Sequence, residues 1–138
     1  MAHVGQKFTF CQARTFSFLF SSLQIFLCLF SLSYVLYNPD NTLTRSTIYT
    51  DAISNVMESY STYSYKDNNL TRKITYKNAG NDGQWDTVND IVFEYNDIRY
   101  AENGNRIDSV YYSGAGPDGK WFTPDDIRKQ LIEFDSSI

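Results

Sequence analysis

At 138 residues the chain has room for one domain, and its formal net charge is −4. All 16 acidic residues follow Tyr37 together with 10 of the 12 basic ones, so that part alone carries −6. Such an acidic surface argues against nucleic acid and anionic lipid as partners, because it offers neither a basic patch. Both cysteines, Cys11 and Cys28, and the single histidine, His3, precede that part. It therefore has no disulfide framework, no cysteine-based metal site and no imidazole base.

Residues 15–39 carry no charge and are rich in phenylalanine and leucine, with Lys7 and Arg14 in front. A positive segment followed by an apolar run is the pattern of an export signal, and Ser31 and Ser33 offer small residues for cleavage before Tyr34. Left uncleaved, the same run is long enough to span a bilayer, with the basic flank inside. Lipid attachment at Cys28 is not expected, since Ile25, Phe26 and Leu27 supply no small residue before it. Residues 1–33 are thus read as signal peptide or membrane anchor, and 34–138 as an exported β-repeat domain. Membrane contact is expected only through an uncleaved N-terminal segment.

Beyond that point the chain reads as three units, a truncated one over 34–59 and two longer ones over 60–95 and 96–138. Asp40-Asn41-Thr42-Leu43-Thr44-Arg45 returns as Asp67-Asn68-Asn69-Leu70-Thr71-Arg72. The segments are short, rich in tyrosine, threonine and β-branched residues, and punctuated by Asn, Asp and Gly, which is the chemistry of strands and turns. Asp67-Asn68-Asn69 and Asn103-Gly104-Asn105 are tight-turn sequences, because Asn and Gly tolerate positive φ. Leu70, Arg72, Ile74 and Tyr76 share one strand face, and Thr71, Lys73, Thr75 and Lys77 the other. Val110 and Tyr112 mirror Ile74 and Tyr76. Ile91, Phe93 and Tyr95 fall on one face and Ile98 and Tyr100 on the other, which predicts a bulge near Asn96-Asp97. Ile127–Phe134 is expected at an edge, with Lys129 and Glu133 discouraging further pairing. A weak helical period runs over Asp51–Ser59.

The most constrained stretch occurs twice. Ala79-Gly80-Asn81-Asp82-Gly83-Gln84-Trp85-Asp86-Thr87-Val88-Asn89-Asp90-Ile91 is followed by Ala115-Gly116-Pro117-Asp118-Gly119-Lys120-Trp121-Phe122-Thr123-Pro124-Asp125-Asp126-Ile127. Both fit A-G-x-D-G-x-W-x-T-x-x-D-I, the mark of a supersecondary unit used more than once. In a meander that alternates a tight turn with a long loop, both loops emerge side by side at one sheet edge.

Asp82, Asp86, Asn89 and Asp90 set hard oxygen ligands around a glycine that permits a sharp turn, a pattern suited to Ca²⁺. Asp118, Asp125 and Asp126 are the corresponding set in the second loop. The first loop is expected to bind the ion more tightly, because Phe122 stands where Asp86 supplies a middle carboxylate. The plain alternative is an ion-free turn in which these residues satisfy backbone groups. Trp85 and Trp121 are read as plugs over the end of a small core, and alternatively as stacking platforms for a sugar. The 11 tyrosines are expected in cross-strand pairs. Adjacent acids such as Asp125-Asp126 could be imagined as a glycosidase pair, but acids in a turn are more commonly ligands or caps. The chain has no phosphate-binding loop, dinucleotide fingerprint or Ser/His/Asp set, so no catalytic residues are assigned.

The spacing D-G-x-x-D-x-x-N-D resembles the core of thrombospondin type 3 calcium repeats. Taken with Tyr63-Ser64-Tyr65-Lys66-Asp67-Asn68-Asn69-Leu70-Thr71-Arg72 and Tyr100-Ala101-Glu102-Asn103-Gly104-Asn105-Arg106-Ile107, residues 34–138 resemble tyrosine–aspartate (YD) repeats of bacterial exported proteins. The resemblance implies an extracellular structural or binding role and brings no catalytic residues. The expected fold is an all-β antiparallel meander of about six or seven strands, with a thin core and one largely solvated face. The expected function is that of a calcium-stabilised envelope module that meets an unidentified extracellular protein or glycan.

Overall fold

The computed structural model describes residues 6–16, 27–50 and 56–134, with only the backbone described over 6–16 and 27–32. It is all-β: eight antiparallel strands in one sheet whose spatial order is their chain order. The strands are β1 (Gln6–Phe16), β2 (Leu27–Tyr37), β3 (Leu43–Tyr49), β4 (Met57–Lys66), β5 (Asn69–Asn78), β6 (Ile91–Tyr100), β7 (Arg106–Gly114) and β8 (Ile127–Glu133). Seven of them, β2 to β8, include residues of the 34–138 stretch, as the alternation of strand and turn residues predicts. β1 and β2 also take up both ends of the segment read as an export signal. The middle of that segment, 17–26, lies outside the described residues. Cleavage before Tyr34 would leave Tyr34–Tyr37 still paired with β3, from Tyr34 opposite Thr47 to Tyr37 opposite Leu43.

The turns follow their residues. Asp67 and Asn68 both hold positive φ, 52° and 62°, in a two-residue hairpin, and Gly104 sits at 83° between β6 and β7. Positive φ at both central positions of the Asp67-Asn68 turn matches the twist of the flanking strands, which explains the choice of Asp and Asn there. Asn103 Oδ1 accepts from the Asn105 N–H at 3.0 Å and Asp40 Oδ1 from the Thr42 N–H at 2.9 Å, fixing two of these turns locally.

Two of the detailed expectations are corrected. No bulge occurs at Asn96-Asp97, where the ladder runs regularly against β5 from Glu94 to Asp97 and against β7 from Tyr95 to Arg99. The bulge lies earlier, because Thr75 faces Glu94 and Tyr76 faces Val92, which skips Phe93. Phe93 therefore does not share a face with Tyr95. It lies under the Lys77 ammonium, 4.0 Å from the ring centroid, on the opposite side of the sheet. Ile98 is buried on that opposite side simply because both faces of this strand carry apolar residues. The weak helical period over 51–59 is not a helix where it is described: Met57–Ser59 open β4, and 51–55 lie outside the described residues.

Bulges recur at matching places. Glu58, Phe93 and Lys129 are skipped in β4, β6 and β8, and Thr44, Thr71 and Ile107 near the tight turns of β3, β5 and β7. Each adds local twist to an otherwise flat ribbon. Among the described residues no second layer covers the sheet. Buried apolar residues among those described are Tyr60, Tyr95, Ile98 and Val110. One face carries Tyr60, Tyr76, Tyr95 and Tyr112. The other is held by side-chain bonds such as Ser61 Oγ to Thr75 Oγ1 at 3.1 Å, Ser46 Oγ to Tyr63 Oη at 3.2 Å and Ser109 Oγ donating to Asn96 Oδ1 at 2.8 Å. The core is one residue deep.

Candidate functional site: the two loops

The loops that join β5 to β6 and β7 to β8 leave the same edge, two strand spacings or roughly 10 Å apart. Each begins with a glycine where a side chain would force the backbone to shift. Gly80 has φ +66°, and a Cβ there would lie 2.1 Å from the Asn89 carbonyl oxygen; at Gly116, with φ +54°, it would lie 2.3 Å from the Asp125 oxygen. The two arms of each loop therefore touch backbone to backbone. Gly83 and Gly119 also hold positive φ, but open space surrounds them.

The aspartate of each D-I pair ties the loop to the sheet. Tyr60 Oη donates to Asp90 Oδ2 at 2.6 Å, and Tyr95 Oη donates to Asp126 Oδ2 at 2.7 Å. The same oxygen accepts a loop N–H, from Asp86 at 2.9 Å and from Phe122 at 2.7 Å. Burial, reinforced by the bonded carboxylate, pushes both phenols well above the ordinary tyrosine range. Each tyrosine is stacked on the next strand's tyrosine, Tyr60 on Tyr76 at 4.6 Å and Tyr95 on Tyr112 at 4.4 Å. Trp85 and Trp121 pack edge-on against them at 5.7 Å and 6.0 Å. Both indoles are half-buried, folded back on the sheet.

Within each loop, oxygen atoms gather about one threonine. Thr87 Oγ1 is 3.2 Å from the Gln84 carbonyl and 3.4 Å from Asp90 Oδ1, and it also contacts Asn89 Oδ1. Thr123 Oγ1 is 3.1 Å from the Lys120 carbonyl, 2.6 Å from Asp125 Oδ1 and 3.2 Å from Asp126 Oδ1. Asp82 accepts from the Gln84 N–H at 2.9 Å and Asp118 from the Lys120 N–H at 2.8 Å. The Gln84 N–H, and then the Thr87 and Asn89 side chains, hold the Asp82 carboxyl below its usual range; Thr123 and then the Asp118 N–H do the same for Asp125.

Of the residues singled out in the sequence, Asp82, Asn89 and Asp90 come together at Thr87, and Asp125 and Asp126 at Thr123 with Asp118 alongside. Asp86 does not join them. It turns to the Arg45 guanidinium in an ion pair. That takes the middle carboxylate away from the first loop, whose remaining candidates are Asp82, Asn89 and Asp90. Among the described residues no group of three His, Cys, Asp or Glu side chains converges closely enough to hold a metal by itself.

Phe122, the counterpart of Asp86, also holds positive φ (69° against 70°) and also meets an arginine from the preceding hairpin. Arg72 lies 5.1 Å from its ring centroid and pairs with Asp97, Nη2 to Oδ2 at 2.7 Å. Phe122 packs against Tyr95 with its ring 5.0 Å away, and remains 44 % exposed. Arg45, Arg72, Tyr60, Tyr95 and the two threonines were not assigned from sequence. Their signal was present: the arginine closes both D-N-x-L-T-R copies, and the threonine is fixed in W-x-T.

A scan against protein-family models matches nothing, and searches of curated proteins and of solved structures find no match to this chain.

Proposed function

We propose that the chain serves as an exported or cell-envelope β-repeat module without a catalytic role. Its two loops bind Ca²⁺ and present their edge to an extracellular protein or glycan. The observation that carries the cation reading is the oxygen count at Thr87 and Thr123. A hydroxyl has one proton, yet each of these faces three acceptors, so more oxygens gather there than the threonine alone can serve. Asp82, Thr87, Asn89, Asp90 and the Gln84 carbonyl would hold the ion in the first loop. Asp118, Thr123, Asp125, Asp126 and the Lys120 carbonyl would hold it in the second. Every donor is a hard oxygen, the ligand class of Ca²⁺. The ion would join the two arms of the loop and so stabilise the sheet edge.

The ion-free alternative also has an observation in its favour. Asp82, Asp90, Asp118 and Asp126 already accept backbone or tyrosine hydrogen bonds, so the loops close without help. Thermal unfolding with and without millimolar Ca²⁺ separates the two. A site of extracellular type, with Kd ~10⁻⁴–10⁻³ M, adds on the order of 1 kcal/mol at millimolar ion. An unchanged midpoint would leave a purely structural module. Export rests on the N-terminal segment, and mass spectrometry of the protein from a bacterial host tests it. A mature N-terminus near Tyr34, or an intact chain in the membrane fraction, is the expected result. A cytoplasmic product retaining Met1 would refute export.

A further inference from the structure

Among the described residues β4 and β6 each have a neighbour on both sides, and β8 has one only, β7. Tyr60 of β4 faces Thr47 and Tyr95 of β6 faces Ile74; they are 6 % and 3 % exposed. Leu131 of β8 occupies the same place opposite Val110 and is 42 % exposed. All of β8 is exposed, including Ile127 and Ile132, and so is Phe134 just beyond it. An edge strand of this kind offers a row of unpaired backbone groups to another strand.

The charges on β8 point to what that strand is. Glu133 lies directly opposite Asp108, and like charges opposite one another destabilise a sheet. Arg99 relieves only the Asp108 side, through bonds of 2.9 Å and 3.0 Å from Nε. Among the described residues no ion pair reaches Glu133, so a cation from the open side would offset the repulsion. We infer that β8 pairs antiparallel with β8 of a second copy of this chain, about a two-fold axis at Leu131. Lys129 bulges out of the new ladder as it does out of the pairing with β7. The pairing then sets Leu131 against Leu131, Gln130 against Ile132, Arg128 against Glu133 and Ile127 against Phe134, the last three twice each.

Every element of this strand finds a match in itself. Arg128 and Leu131 fall on the face that Tyr112 and Val110 share, and Glu133 on that of Asp108, so the ion pairs form on one side of the joined sheet. Ile127, Ile132 and Phe134 lie on the other. A two-fold contact of this type closes, leaving β8 covered in both copies and stopping at the dimer. The inference does not depend on the cation reading, since no loop ligand takes part.

Sedimentation of the purified chain over a range of concentrations tests it. The expected result is a monomer–dimer equilibrium. Arg128→Glu and Glu133→Arg should each weaken dimerisation roughly tenfold or more, because two attractions become two repulsions. An equimolar mixture of the two variants should recover a dimer, since each supplies the sign that the other lacks, and the double exchange should recover it within one chain. Circular dichroism of each variant checks that the sheet is retained, and recovery in the mixture answers any doubt about a frayed β8. A chain that stays monomeric throughout, an assembly that grows beyond the dimer, or a mixture that stays monomeric would each overturn the inference.

Discussion

The two loops share an attachment and differ at one flank. In both, a glycine lets the arms touch, an aspartate holds a tyrosine hydroxyl and a loop N–H with one oxygen, and a tryptophan leans edge-on against that tyrosine. At the flank, Asp86 pairs with Arg45, while Phe122 lies beneath Arg72, which turns to Asp97 instead. The repeated positions are those that tie loop to sheet. The position that varies is the one that meets the preceding hairpin's arginine, and it changes from carboxylate to aromatic without moving the backbone out of positive φ. An arginine accepts either, by ion pair or by its planar face. This tells which part of the motif is geometry and which is exchangeable contact.

The largest effect should come from the glycines. Gly80→Ala and Gly116→Ala place a methyl group against a carbonyl at 2.1 Å and 2.3 Å, and each should cost roughly 3 kcal/mol in denaturant unfolding. Gly83→Ala and Gly119→Ala bear only the left-handed backbone, for about 1 kcal/mol. Equal losses at all four positions would contradict the backbone contact.

Next come the phenols. Tyr60→Phe and Tyr95→Phe each remove a hydrogen bond to a carboxylate, worth about 1.5–3 kcal/mol. The second should cost more, because Asp126 is only 7 % exposed and would be left buried. Since both folded-state phenols titrate above their unfolded value, their contribution holds below about pH 10 and is lost as the pH rises beyond it. The double Phe variant should flatten that alkaline decline, which an unfolding series from pH 8 to about 11 would reveal. Asp82 and Asp125 act with the opposite sign. Their depressed carboxyls add stability above the unfolded value near 4, and it is lost as the pH falls through the folded-state values.

The smallest effect lies at the flank. Asp86→Ala should cost no more than about 0.5 kcal/mol, since that side chain is 55 % exposed, and high salt should erase the difference. Phe122→Ala loses apolar contact with Tyr95, about 1 kcal/mol, and salt should leave it unchanged. The reverse ranking would show the ion pair to be the stronger tie.

The sheet was legible because its signals are local. Asp67, Asn68 and Gly104 announce positive φ, and the alternation Arg72, Ile74, Tyr76 holds on one face of β5, which Leu70 leaves, against expectation, because Thr71 is skipped. Bulges were misplaced because a skipped residue leaves no mark in the sequence. Phe93 continues the apolar alternation of Ile91 and Tyr95, and only the facing strand reveals that it is passed over. The candidate site was half legible. Asp82, Asn89 and Asp90 were found by ligand spacing, but spacing could not show that Asp86 is drawn off by Arg45, a residue 41 positions away. The tie between Tyr60 and Asp90 likewise spans 30 positions and forms only once the sheet brings them together.

The claim that both loops are cation sites is tested most directly by terbium luminescence sensitised through Trp85 and Trp121. Saturable emission that excess Ca²⁺ displaces is predicted. Asp118→Asn should remove the tighter component and Asp82→Asn the weaker, because the second loop keeps three carboxylates while Asp86 is lost to the first. Absence of saturable emission, or emission indifferent to both substitutions, would contradict the account and leave these loops as turns closed by their own hydrogen bonds.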